Sequence, residues 1–326
     1  MGVERIDLPL KKLNPDCGGL QSGLSFFIFK ITMVGLWVPI NQSLSDNMLS
    51  KKSVKLSSCH ASYFEKTAND ASATILMVHG NSLSKETFLP QLESEQLDQY
   101  RLIAVDLPGN GDTEVNSKTD TSRFSIKGMA DFISEFAGNV IDEDLILMGH
   151  SLGGHLCIQA ASDIDGLKGF FLMGTPPLTT SEMPAAPFND HPAMGLLFKD
   201  ELTREELDIL ADSMHNGSAD ASKKIKNAFS KTDPTLRSSL GQSVATGDYK
   251  DELRELVSIG IAPALVLGEK DELINADYVK EIAESTGWQN SPQIIPEAGH
   301  CVQLEASEAV NSLLAEYISF VDSRES

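Results

Sequence analysis

The sequence predicts an α/β fold: a mostly parallel central sheet with helices on both faces, carrying a helical insertion. Three observations predict it. Short apolar runs alternate with segments whose apolar residues recur at helical spacing, the rhythm of parallel strands joined by crossover helices. One run, Leu145-Ile146-Leu147-Met148, leads into Gly149-His150-Ser151-Leu152-Gly153 and then into a helical pattern. On such a strand-to-helix turn the serine backbone is forced into strain and its hydroxyl is pushed clear of the sheet. Finally, the rhythm fails over 178–248, where Pro184, Pro187 and Pro192 precede helical stretches with no convincing strand, and it resumes at 263–268.

The elements follow in order. Residues 53–57 and 59–65 read as short strands, and 73–78 as a buried strand ending in His79-Gly80-Asn81-Ser82. Residues 84–98 read as one helix, with Ser84 as N-cap and Glu86, Glu93 and Glu95 outward. A strand at 101–105 runs into Asp106-Leu107-Pro108-Gly109-Asn110-Gly111-Asp112-Thr113, a turn rich in helix and strand breakers. Over 124–140, Ile126, Met129, Ile133, Phe136 and Val140 fall at helical spacing. After the Leu145 strand and the Ser151 helix comes a strand at 167–173. The middle region offers helices at 203–214 and 221–229. A strand at 263–268, a helix at 276–285, a strand at 293–295 and a final helix from Gln303 or Ala306 to Phe320 complete the chain. The expected division is an extension at 1–47, an α/β core at 48–175 and 249–326, and a helical cap at 176–248.

The 326 residues suffice for a sizeable core, and the net charge of −21 argues against nucleic acid or an anionic membrane surface as partner. The charge is read as a solvated acidic surface. Cys17, Cys59, Cys157 and Cys301 show neither metal-ligand nor disulfide-framework spacing, which points to a reducing, cytoplasmic setting. The stretch 1–47 differs from the rest: Glu4, Asp7, Asp16 and Asp46 balance Arg5, Lys11, Lys12 and Lys30. Within it, 24–40 is almost wholly apolar, interrupted by Lys30 and followed by no cleavage-site pattern. It is read as an extension outside the folded body, with Met33 and Met48 as alternative starts; a membrane anchor through 24–40 is the competing reading.

The residues His79-Gly80-Asn81, Asp106-Leu107-Pro108-Gly109, Gly149-His150-Ser151-Leu152-Gly153-Gly154, Gly268-Glu269-Lys270-Asp271 and Gly299-His300 together resemble the α/β-hydrolase family, in that family's order, from about Lys51 to the C-terminus. Asn110 departs from the Pro-Gly-His-Gly turn of many members. The resemblance implies an α/β-hydrolase fold of the esterase/lipase-like branch with a helical cap.

A serine hydroxyl needs a base near neutral pH. His300 is the candidate, on a short loop between a strand and a helix and last in the serine–acid–histidine order that the resemblance implies. Of the others, His150 should point away from the reaction, His155 should pack or cap one turn along the helix, and His79 should be a buried, hydrogen-bonded residue. His60, His191 and His215 lie outside any motif. The carboxylate that holds the imidazole is Asp271 by the family pattern, with Glu269 and Glu272 as neighbours in sequence. The oxyanion donors implied are the backbone N–H groups of Leu152 and Asn81. Cys301 is read as a packing residue.

Phe188, Met194, Leu197 and Phe198 are candidates for an apolar pocket under the cap, with packing of the cap itself as the equal alternative for each. Nothing in the sequence suggests a metal or organic cofactor. Serine in place of aspartate at the elbow argues against dehalogenase or epoxide hydrolase chemistry. The expected function is hydrolysis of small or medium apolar carboxylic esters through an acyl-enzyme on Ser151. Lactone, thioester or carbon–carbon hydrolysis and acyl transfer are alternatives on the same residues. A non-catalytic small-molecule receptor is the alternative from another class. The expected partner is a small ester-like molecule, with oligomeric state open.

Overall fold

The computed structural model describes residues 49–68, 71, 73–115 and 120–324, all within one compact unit, Leu44–Ser326. Eight strands form one sheet: β1 (Leu49–Lys55), β2 (His60–Lys66), β3 (Thr74–Val78), β4 (Arg101–Val105), β5 (Leu145–His150), β6 (Leu167–Met173), β7 (Ala264–Gly268) and β8 (Gln293–Ile295). Their order is β1-β2-β4-β3-β5-β6-β7-β8, with β2 antiparallel to both neighbours and every other pair parallel.

The apolar runs at β3, β5 and β7 are continuous because both faces of these strands are covered. Successive residues still go to opposite sides. Leu76, Val78, Leu145, Leu147, Phe170 and Leu172 join one layer with α2 (Ile126–Val140), α3 (Leu152–Ala160) and α9 (Ala276–Thr286). Ile75, Met77, Ile146, Met148, Phe171 and Met173 join the other with α1 (Leu89–Leu92), α10 (Val302–Glu305) and α11 (Ser307–Ser323).

The expected helix over 84–98 is not one helix. The structure holds a 3-10 turn at Lys85–Phe88, the four-residue α1 and a second 3-10 turn at Glu95–Leu97. Pro90 cannot donate its missing N–H, which confines it to the first turn of a helix. Lys85, Thr87 and Phe88 are all buried, which no single amphipathic face allows, and Lys85 Nζ meets Asp106 Oδ2 at 2.5 Å in the interior. Glu86 is half-buried rather than outward, whereas Glu93 and Glu95 are exposed. The two expected starts of the last helix both exist, because Ala306 (φ −136°, ψ 47°) breaks it into α10 and α11.

Between β6 and β7 the chain makes α4 (Ala193–Leu196), α5 (Arg204–Asp212), α6 (Ala219–Ser230), α7 (Thr235–Thr246) and α8 (Glu252–Ile259), with no strand among the described residues. Helix α5 opens with a full capping box of Thr203 and Glu206. Helices α7 and α8 were not expected: α7 is rich in Ser, Thr and Gly, poor helix formers whose helix depends on burying Leu236 and Leu240.

No helix among the described residues is long and apolar enough to cross a membrane. The segment 24–40 lies outside the described residues.

Candidate active site

The site is built at the carboxyl ends of the central strands, where ligands of open α/β sheets bind. β5 ends at His150, and Ser151 follows with φ 52° and ψ −121°, a conformation that costs a residue with a side chain on the order of 1–3 kcal/mol. The bend is fixed from both sides: Ser151 N–H donates to Met173 O at 2.8 Å, and Ser151 O accepts from Thr175 Oγ1 at 3.0 Å. A Cβ on Gly149 would lie 2.4 Å from Gly154 Cα, and one on Gly153 would lie 2.1 Å from Val78 O, so helix α3 can approach the sheet only with glycine at both places.

His300 sits on the loop after β8, buried at 2% exposure, with Nδ1 2.8 Å from Asp271 Oδ2. Asp271 follows β7, and its other oxygen accepts the N–H of Leu273 (2.9 Å) and of Ile274 (3.2 Å). Those bonds orient the carboxylate toward the imidazole. Glu269 instead accepts Glu297 N–H, and the Glu272 side chain is 70% exposed near His191. Of the three neighbouring acids, Asp271 alone meets His300 among the described residues.

His300 abuts Gly174, the residue after β6, and its ring lies 4.9 Å from that of His150. His150 Nε2 contacts His300 O at 3.1 Å, an accepting carbonyl, so this nitrogen carries the ring proton. Burial and the neighbouring His300 push the pKa of His150 well down, which keeps it neutral. Its ring supports the His300 loop. Glu305 takes the Gly299 N–H at 2.9 Å and the Asn216 N–H at 2.5 Å, tying that loop to the inserted segment; burial raises its pKa. Cys301 is fully buried with its thiol pKa pushed well up by burial, as befits a packing residue.

The loop after β3 brings Asn81 to the same cavity as Ser151. No carbonyl or side chain among the described residues takes the N–H of Asn81 or Leu152. The Asn81 side chain is already engaged, donating to Leu197 O at 2.8 Å and accepting from Ser82 Oγ at 2.9 Å. His79 is fully buried, accepting Leu107 N–H on Nε2 and meeting Gly80 O through Nδ1. Asn110 is buried too, bonded to Pro108 O and Thr232 Oγ1, so the departure from histidine in this turn is accommodated by packing.

A cavity of about 270 Å³ opens beside Ser151 and Leu152. Phe188, Met194, Leu197 and Phe198 all line it, together with Asn81. Its wall also includes Ile126, His155, Leu178, Leu240, Tyr249 and Glu252, which were not anticipated. His155 does not merely pack or cap: its Nδ1 meets Glu252 Oε2 at 2.8 Å. Helical spacing after Ser151 could have placed His155 on the serine's side of α3; nothing local pointed to Glu252, far along the chain. A larger cleft of about 620 Å³ lies between Leu167, Ile261 and Arg324, near the amino ends of β6 and β7 and away from Ser151. Among the described residues no cluster of three or more His, Cys, Asp or Glu is arranged to hold a metal.

The family described as Alpha/beta hydrolase family matches residues 75–313. The chain belongs to the alpha/beta hydrolase family. It is 28% identical over 272 residues to a dihydrolipoyllysine-residue acetyltransferase component of the acetoin cleaving system of Pseudomonas putida, covering 75% of this chain and 63% of that protein. The chain therefore spans under two thirds of that relative's length. It is 26% identical over 258 residues to the AB hydrolase superfamily protein YisY of Bacillus subtilis, covering 74% of this chain and 90% of that one. Among solved alpha/beta hydrolases it resembles a mutant of the N-acyl homoserine lactonase AidH complexed with N-hexanoyl homoserine lactone. That likeness has a TM-score of 0.76 and 25% identity, over 83% of this chain and 98% of that chain.

Proposed function

We propose that this hydrolase cleaves carboxylic esters of small or medium apolar substrates through an acyl-enzyme on Ser151. The observations that carry the reading are the strained Ser151 at the edge of an apolar cavity and the buried His300–Asp271 pair, whose imidazole abuts Gly174 and the ring of His150, the residue before Ser151. His300 Nε2 takes the hydroxyl proton as Ser151 Oγ attacks the carbonyl carbon. Asp271 keeps the proton on Nδ1 and stabilises the imidazolium that forms. The N–H groups of Asn81 and Leu152 receive the oxyanion. His300 then protonates the leaving alcohol, and a water activated by the same histidine releases the acid. Residues 176–248 act as a cap whose Phe188, Met194, Leu197 and Phe198 contact the apolar part of the substrate. At about 270 Å³ the cavity lies just below the usual range for drug-sized ligands, which favours short chains.

A lactone, an internal ester, is the second reading, favoured by the likeness to the solved lactonase. The test is a panel of p-nitrophenyl esters of increasing chain length alongside N-hexanoyl homoserine lactone. The expected result is turnover that peaks at short to medium chains. Turnover of the lactone with none of the open esters selects the second reading, and binding of these compounds with no turnover at all contradicts both.

A further inference from the structure

Resting on Ser151 as the nucleophile, we propose that His155 and Glu252 form a second histidine–carboxylate pair in the same cavity, one that selects esters carrying a hydrogen-bond donor (a secondary amide N–H or a hydroxyl). His155 follows Ser151 by four residues on α3, so it lies on the same face of the helix, displaced along it by about 6 Å. The selected donor is therefore expected about one helical turn along the cavity from the Ser151 end.

The carboxylate is fixed and almost inaccessible. Glu252 is 1% exposed; its Oε2 accepts Leu178 N–H at 2.8 Å and faces His155 Nδ1 at 2.8 Å, while Oε1 accepts Gln159 Nε2 at 3.1 Å. Gln159 is held in turn by Lys250, donating to its carbonyl and accepting its N–H. Glu252 already accepts the N–H groups of Leu178 and Gln159, so the proton between it and His155 is taken on Nδ1, and a neutral ring, part of what is proposed, leaves Nε2 as an acceptor. Nε2 has no hydrogen bond among the described residues, while the ring lines the cavity beside Phe188, with centroids 6.3 Å apart. Ile126, Leu178, Met194 and Leu240 make the wall around it apolar.

An acceptor fixed in an apolar cavity discriminates by what it leaves unpaired. A purely hydrocarbon chain seated there strips water from Nε2 and returns nothing, whereas a chain with a donor at that depth replaces the lost bond. The pair differs from His300–Asp271 in role, since it reads a distant part of the substrate and takes no proton from Ser151.

The experiment compares p-nitrophenyl γ-acetamidobutyrate with its N-methyl amide, two substrates identical at the reacting ester and differing in one N–H. Wild-type kcat/KM is expected to favour the N–H compound by about 10-fold or more. That ratio should fall toward one in His155→Leu and in Glu252→Gln, whatever the absolute rates. A wild-type ratio near one overturns the proposal without needing either variant to fold. A ratio that persists in folded His155→Leu overturns it as well. A wild type that hydrolyses neither compound, nor any simple p-nitrophenyl ester, overturns the open-ester reading on which this rests; a wild type that hydrolyses both alike overturns only the selectivity.

Discussion

At Ser151 the backbone takes a conformation that side-chain-bearing residues avoid, and four neighbours hold it there: Gly149, Gly153, Met173 and Thr175. In the proposed mechanism the strain is useful only if a base stands by, the part assigned to His300 and Asp271. In Asp271→Asn the amide oxygen could still accept the Leu273 and Ile274 N–H groups, but an amide N–H would then face His300 Nδ1. The imidazole would be driven to the tautomer that cannot take the serine proton. We expect kcat to fall by about 10³- to 10⁴-fold with KM and the unfolding temperature little changed. Steady-state kinetics beside thermal melts check this, and a loss confined to KM would contradict the role. The proposed catalytic residues could be picked from the sequence because each occupies a short motif at a strand end, Gly149 to Gly153, Gly268 to Asp271 and Gly299-His300. The His155–Glu252 pair could not, since its members lie 97 positions apart and no local pattern joins them.

Among elements, strands β3 to β8 and helices α2, α3 and α9 followed the apolar spacing closely, because burial on both faces of the inner strands leaves an unbroken signal. The signal misled where burial was not governed by one face: 84–98 broke into short turns around Lys85 and Pro90, and α7 carries too few apolar residues to announce itself. Helix α8 has its own device. Asp251 caps it by accepting Arg254 N–H, and also accepts Thr180 N–H and the hydroxyls of Thr179 and Thr180, which fastens the start of the insertion to its end. Partial burial raises the pKa of Asp251, yet these bonds outweigh it and hold the group at about 2 against an ordinary 3.8. A lowered folded-state pKa means that the stabilisation is whole above about pH 4 and disappears as pH falls toward 2. Wild type should therefore melt above Asp251→Ala at pH 6, with the two curves converging near pH 2. A gap independent of pH would show that Asp251 contributes through packing instead of its charge.

At the scale of the whole molecule, the two apolar layers lie on opposite faces of one sheet, and both belong to the unit Leu44–Ser326. A chain begun at Met48 is expected to melt and to turn over esters as the full chain does; loss of either would make residues 1–47 part of the working body. Family and fold were legible from the ordered motifs, whereas substrate choice was not, because the cavity wall is assembled from the β3–α1 loop, α2, α3, the segment 178–198, α7 and α8, distant from one another in sequence. Whatever the substrate, the chemistry stands or falls with one hydroxyl. The most direct measurement is peptide mapping by mass spectrometry after reaction with a fluorophosphonate. One adduct per chain on Ser151, absent from Ser151→Ala and strongly slowed in a folded His300→Ala, is the predicted result. A folded wild type that takes no adduct on Ser151, or takes it just as fast without His300, would contradict it.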